Sequence, residues 1–181
     1  MIIGLTGLPA AGKGTIVKYL VEKYQARQIR FSDPLRDMIH RVYQEQTRES
    51  MSHFGTFVRK EFGEDILVKT LLHDIEKMEG SLFVLDGMRF LNEFDTLSRE
   101  AEFSMWAVDT ELSKRYERIV KRGENTSDNT LSREQFEKQH ELPTEVHIPT
   151  LMDKAHARIN NNGTFEQLYA QVDLLMKGMA R

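Results

Sequence analysis

The chain has 181 residues, 40% hydrophobic and 29% charged, and its 25 Lys+Arg against 28 Asp+Glu leave a formal net charge of −3. That length suits one compact domain, residues 1–181, and so even a balance lacks the broad positive footprint of a duplex nucleic-acid binder, which argues against a nucleic-acid partner. No cysteine is present, which excludes a disulfide scaffold, a thiolate zinc site and a cysteine nucleophile. The opening apolar run is too short for a signal peptide, and no window approaches the roughly 18 apolar residues of a spanning helix. The expectation is a cytoplasmic protein with no membrane partner; oligomeric state leaves no mark in the sequence.

In chain order, residues 1–6 are apolar and β-branched, end at Gly7, and predict a buried strand. Residues 13–24 follow with Ile16, Val17, Leu20 and Val21 at helical spacing. A brief strand is expected over 28–31. A helix over 34–46 carries Leu35, Met38, Ile39 and Val42 on one stripe, with Pro34 in its first turn and Asp33 as cap. Helices near 50–62 and 65–78 lead to Ser-Leu-Phe-Val-Leu at 81–85, the clearest buried strand, closed by Asp86-Gly87. The spacing then predicts a helix over 90–100, a strand over 103–108 and a charged helix over 111–122. A polar excursion over 123–132 precedes helical pieces over 133–139 and 145–154. A strand over 157–159 and a helix over 164–177 complete the series. Five short strands alternating with helices predict an α/β fold of three layers, a parallel five-stranded sheet flanked by helices.

Between the first strand and first helix stand Gly7, Leu8, Pro9, Ala10, Ala11, Gly12, Lys13, Gly14 and Thr15. The spacing Gly-x4-Gly-Lys is the P-loop pattern, in which backbone N–H groups and a helix N-terminus surround a polyphosphate. Lys13 is placed to reach the outer phosphates as a point charge. The hydroxyl that faces Mg²⁺ usually follows the lysine directly; here Gly14 intervenes and Thr15 carries it. The pattern in this strand–loop–helix context predicts a nucleoside triphosphate site. There is no Asn-Lys-x-Asp element for guanine and no Asp-x-x-Gly switch after the 81–85 strand, which sets aside a GTPase, and too little chain remains for a motor.

Beyond the loop, Gly12-Lys13-Gly14-Thr15 and several later elements resemble the nucleoside monophosphate kinases. Phe31-Ser-Asp33-Pro-Leu35-Arg36 resembles that family's Thr-Gly-Asp-x-Leu-Arg element, and Phe83-Val-Leu-Asp86-Gly87-Met-Arg89 its Leu-Asp-Gly-Phe-Pro-Arg element without the proline. Asp109-x-Glu111 running on to Arg118 and Arg122 resembles the helix that leads into the mobile lid. Gly55-Thr56-Phe-Val-Arg59 and Asp86-Gly-Met-Arg89-Phe90-Leu-Asn92-Glu93 are similar to stretches of the adenylate-kinase-related and phage-type deoxynucleoside monophosphate kinases. The loop Ile159 to Gly163 resembles the one that frames the nucleotide base. The opening Met-Ile-Ile-Gly-Leu-Thr-Gly also resembles dephospho-coenzyme A kinase.

The resemblance implies a P-loop fold with an acceptor-binding flap over about 33–63 and a short lid over about 123–139. It implies ATP as co-substrate, with Asn162 and Gly163 joining residues 7–15 in binding it. Mg²⁺ would be held by Thr15 and Asp86, through water. Asp33, Arg36, Arg59 and Arg89 would bind the acceptor; Lys13, Arg118 and Arg122 would act on the transferring group. Arg133 or Lys138 stands where such kinases place further lid arginines. Phosphoryl transfer explains the cations, because two polyanions must be held together while negative charge spreads. Plainer readings remain for each: Arg118 and Arg122 as a solvated face paired with Glu111 and Glu117, Arg36 as a surface ion pair, Asp33 as a helix cap. The six histidines show no ligand spacing. The implied reaction is ATP-dependent phosphorylation of a nucleoside or deoxynucleoside monophosphate, with a dephospho-coenzyme A kinase or a regulatory or nucleic-acid-associated ATPase as alternatives.

Overall fold

The computed structural model describes residues 1–42, 45–122 and 131–179, with the side chains of Arg48, Glu49 and Arg122 outside that description. Five strands, β1 (Ile2–Thr6), β2 (Arg27–Arg30), β3 (Phe83–Asp86), β4 (Phe103–Asp109) and β5 (Ala157–Asn160), form one sheet in the order β2-β3-β1-β4-β5. Every pairing is parallel, with Gly4 of β1 level with Leu85 on one side and Met105 on the other. The central strand is buried along its whole length, which is why it reads as a continuous apolar run rather than an alternating one.

Helices cover both faces. Against one lie α1 (Lys13–Tyr24) and α9 (Phe165–Met179), where Ile3, Leu5, Ile16, Leu20, Trp106, Val108, Leu168 and Val172 make the core. Against the other lie α4 (Ile66–Lys77), α5 (Leu91–Leu97) and α8 (Ile148–Lys154), closing over Ile2, Val68, Leu71, Leu85, Met105 and Leu151. The segment carrying α2 (Asp33–Arg41) and α3 (Arg48–Phe62) meets α4 in a small third cluster, Leu35, Val58 and Leu67, separate from both main cores. The charged α6 (Leu112–Arg122) and the short α7 (Arg133–Lys138), followed by a 3-10 turn over Gln139–Glu141, complete the described elements.

Two expectations change. The helix from Asp33 ends at Arg41 rather than at 46, because Gln46 folds back to bond Arg36: its amide donates to the Arg36 carbonyl (3.2 Å), and the Arg36 Nη1 donates to its Oε1 (3.3 Å). Of the expected stripe only Leu35 and Ile39 are buried, while Val42 is 61% exposed. Asp33 is the first helical residue and not the cap; Ser32 holds that position, and the Asp33 carboxylate accepts the Arg30 N–H at 2.8 Å.

With all strands parallel, the segments after β1, β3, β4 and β5 leave the same edge of the sheet. β1 has β3 and β4 as neighbours, so this edge at β1 is where the chain order reverses, the position at which open α/β sheets bind ligands.

Candidate active site

The loop after β1 is built for close backbone approach. Ala10 (φ 60°) and Gly12 (φ 98°) adopt the left-handed conformation. A Cβ at Gly12 would lie 2.1 Å from the Asn161 amide nitrogen, so only glycine fits. The Ala11 carbonyl accepts from Thr110 Oγ1 (2.9 Å), Asn161 Nδ2 (2.8 Å) and Arg118 Nη1 (3.5 Å), which ties the loop to the ends of β4 and β5 and to α6. Thr15 stands in the first turn of α1, its N–H bonded to the Gly12 carbonyl (3.1 Å).

Lys13 donates to the carbonyls of Gly7 (2.5 Å) and Leu8 (3.3 Å), so its ammonium lies across its own loop. Burial pulls its pKa from 10.5 down to about 8, with the Asp86 carboxylate opposing the fall, Arg89 and Arg115 adding to it and Glu145 resisting it. Those four charges mark what surrounds the lysine. Asp86 ends β3, three residues before Arg89. Arg89 is 46% exposed and pairs through Nη1 with the buried Glu145 at 3.3 Å. Arg59 of α3 lies 4.5 Å from the centre of the Phe90 ring, donates to the Gly55 carbonyl (3.3 Å) and sits 3.9 Å from Glu93.

Other residues singled out in the sequence sit elsewhere. Arg36 is exposed and touches Ser32 Oγ (3.4 Å) and Gln46, neutral partners both. Arg118 donates to the Asn161 carbonyl (2.9 Å) as well as to Ala11, so its guanidinium rests on the loop backbone beside β5. Asn162 lies next to it, its carbonyl accepting from Lys114 Nζ (2.6 Å) and its side-chain oxygen from the Glu111 N–H (2.8 Å), and Gly163 follows. Arg133 and Lys138 are taken up by surface ion pairs with Glu137 (3.1 Å) and Glu134 (2.9 Å) along α7. The Arg122 side chain and residues 123–130 of the expected lid lie outside the described residues. Within the expected flap, a cavity of about 710 Å³ opens between α2 and α3, walled by Met38, Ile39, Val42 and Phe54.

Four residues to which the sequence assigned no role are part of this region. Arg115 is buried; its Nε donates to the Thr110 carbonyl (3.0 Å) and its Nη1 to the Pro9 carbonyl (3.4 Å) and to His140 Nε2 (2.9 Å). Because a guanidinium only donates, His140 accepts there and is neutral; burial and Arg115 hold its pKa below the usual histidine value. Glu93 and Glu145 are both buried acids facing arginines. The one usable signal was amphipathic phase: Arg115 lies four residues before Ile119, on the buried side of α6.

As a magnesium site, the donor set offers one hydroxyl, Thr15, and one carboxylate, Asp86. Among the described residues no three His, Cys, Asp or Glu gather into a cage. Such a sparse set fits Mg²⁺, which keeps much of its water and takes few protein ligands when phosphates supply others.

A family model described as an AAA domain matches residues 3–141. A UPF0200 protein of Sulfurisphaera tokodaii is 30% identical over 97% of this chain and 96% of the relative. The chain belongs to the UPF0200 family and carries an AAA domain. Another UPF0200 protein, from Thermococcus kodakarensis, is 29% identical over 97% of this chain and 96% of its own. Among solved structures, shikimate kinase from Bacteroides thetaiotaomicron aligns at TM-score 0.59 and 16% identity, covering 100% of this chain and 99% of that one. TT1252 from Thermus thermophilus aligns at 0.59 and 19%, covering 98% and 97%. At such identities the likeness is one of fold, and the fold is that of the P-loop kinases. Among the described residues no helix is long and apolar enough to cross a membrane.

Proposed function

We propose that this UPF0200 protein transfers the γ-phosphoryl group of ATP to a nucleoside or deoxynucleoside monophosphate. The observation that carries the reading is adjacency at the sheet edge: Asp86 of β3 is level with Leu5 of β1 and the Met88 N–H donates to the Leu5 carbonyl (3.0 Å), so the segment carrying Arg89 leaves the sheet beside the loop that carries Lys13. A loop suited to a triphosphate and a cation suited to a second phosphate thus leave neighbouring strands at the sheet edge where ligands of open α/β sheets bind, which supports the reading.

In this reading the loop amides and Lys13 hold the triphosphate, and the ammonium turns from the Gly7 and Leu8 carbonyls to the phosphate oxygens. Arg89 and Arg59 grip the acceptor phosphate, with Arg36 and Asp33 at its entrance, and Arg118 and Arg122 attend the donor. An acceptor oxygen attacks the γ-phosphorus as its bond to the β-phosphate oxygen breaks, giving ADP and the diphosphate. When bound, Mg²⁺ neutralises charge on the donor phosphates, with Thr15 and Asp86 holding it. The fixed cations do the rest, and each one removed from such a preorganised site costs on the order of 10²–10³ in rate. Inward movement of α2 and α3 would exclude water and suppress wasteful hydrolysis.

The test is ADP release from Mg-ATP with a panel of ribo- and deoxynucleoside monophosphates and dephospho-coenzyme A. Release that depends on one monophosphate supports the reading, and release driven by dephospho-coenzyme A alone replaces the acceptor. Slow hydrolysis indifferent to every acceptor makes the protein an ATPase and refutes the proposal. In the supportive case Lys13→Ala abolishes turnover, whereas Arg89→Ala chiefly raises the acceptor KM.

A further inference from the structure

Glu93 is an acid where an apolar residue would be expected: it is 3% exposed, on the inner face of α5. One oxygen, Oε2, accepts the N–H groups of Arg89 (2.8 Å) and Phe90 (3.1 Å). The other, Oε1, faces Arg59 Nη2 at 3.9 Å. The plainest account of a glutamate three residues into a helix is that it satisfies free N–H groups at the helix start. That account needs one oxygen and no charge. It leaves unexplained why the second oxygen meets a guanidinium from α3, and why that guanidinium also lies on the ring of Phe90, whose own N–H the same carboxylate holds.

We propose that Glu93 is the positioning residue of the acceptor site, a single carboxylate that fixes the backbone of Arg89 and the side chain of Arg59 relative to one another. It would touch neither nucleotide, and its effect on turnover rests on the kinase reading given above. The two arginines come from different parts of the fold: α3 clusters through Val58 with Leu67 of α4, and Arg89 follows β3 of the main sheet, while Asn92 of α5 also donates to the Glu64 carbonyl after α3. Glu93 is the ionic link between them, and together with the Arg59–Phe90 stack it sets the Arg59 guanidinium against the Arg89 backbone.

The charge is what makes the link testable. Burial raises the Glu93 pKa from 4.5 to about 7, while the N–H groups of Arg89 and Phe90 and the charges of Arg59 and Arg89 pull it back. Arg59 from α3 and Arg89 from the β3–α5 segment, itself paired with Glu145, are the charged groups facing it. Below neutral pH the carboxyl gains a proton and still accepts hydrogen bonds, but it no longer balances Arg59. The cap survives protonation; the hold on Arg59 does not.

Glu93→Gln makes the same separation permanently, keeping an oxygen for the N–H groups and turning an NH₂ towards Arg59. Glu93→Ala removes both functions. Three readouts on the full-length protein decide the matter: thermal midpoint, acceptor KM and kcat from pH 6 to 8.5, and the Arg59 Nε–Hε NMR resonance, assigned by its loss in Arg59→Lys. Expected for Glu93→Gln are a thermal midpoint near that of the parent, an acceptor KM raised about tenfold with kcat within about threefold, and an Arg59 resonance that no longer titrates near neutrality. Glu93→Ala should lose stability as well. If Glu93→Gln matches the parent in KM and in the Arg59 titration while Glu93→Ala is merely unstable, Glu93 is only a cap and the proposal is overturned. If the parent phosphorylates no acceptor, the kinase reading fails separately. The Arg59 resonance still decides the contact: a titration present in the parent and absent in Glu93→Gln supports it, and one unchanged by the substitution overturns it.

Discussion

Nucleotide binding should weaken steeply above pH 8, because the empty loop holds Lys13 where its charge is costly. The drop from 10.5 to about 8 corresponds to about 3 kcal/mol against the ammonium form. A triphosphate binds that form and restores its pKa, so the free and bound proteins differ in proton content near pH 8. Affinity should fall by the factor 1 + 10^(pH − 8), about twofold at pH 8 and about elevenfold at pH 9, the latter close to 1.4 kcal/mol. Titration calorimetry with Mg-ATP in two buffers of different ionisation heat measures the linked protons directly. About half a proton should be taken up per nucleotide at pH 8, and almost none at pH 6.5. Phosphate oxygens have second pKa values near 6, so the ligand adds little at the upper pH. Lys13→Met should abolish the uptake. A flat affinity from pH 7 to 9, or equal uptake in Lys13→Met, would refute the assignment of this titration to the loop lysine.

Gly12→Ala combines a left-handed φ with a Cβ 2.1 Å from Asn161, and should cost about 2–4 kcal/mol of stability by denaturant unfolding and remove nucleotide-induced thermal protection. Gly14→Ala meets nothing within 4 Å and lies inside α1, so it should be neutral or stabilising by up to about 1 kcal/mol. Phe136 is fully buried against Arg115 and His140; Phe136→Ala should cost about 3–5 kcal/mol in the same assay. Asn161→Ala removes one of the donors on the Ala11 carbonyl and should weaken Mg-ATP binding more than it lowers the thermal midpoint.

Much of the architecture could be read from periodicity because the relevant signals are local. Ile16, Val17 and Leu20 are buried at the spacing that marked α1, and the run through Leu85 is the strand it looked to be. The P-loop was legible for the same reason, its glycines and lysine being consecutive in sequence. What failed to show was anything decided across the fold. The end of α2 depends on Gln46 returning to Arg36, and Val42, apolar and in phase, lies outside the core. Of the acids that face the site arginines, Glu93 closes the recognisable Asp86–Glu93 stretch but its burial is decided by packing, and Glu145, in a turn, looks like an ordinary surface residue. Arg115 was hidden among Lys114, Arg118 and Lys121, all more exposed, and only its phase relative to Ile119 set it apart.

The carbonyl of Ala11 has a consequence for how the protein is made. Its partners include Asn161, 150 positions further along, and Arg118, which itself bonds the Asn161 backbone. A ribosome emits the P-loop well before the groups that fix its peptide orientation, which lie 107 and 150 positions later. A nascent chain thus displays the nucleotide-binding signature long before it can hold the loop in shape. Competence should arrive abruptly once β5 docks beside β4, which makes nucleotide capture by stalled chains, with residue 161 held in or clear of the exit tunnel, a direct clock for completion of the sheet.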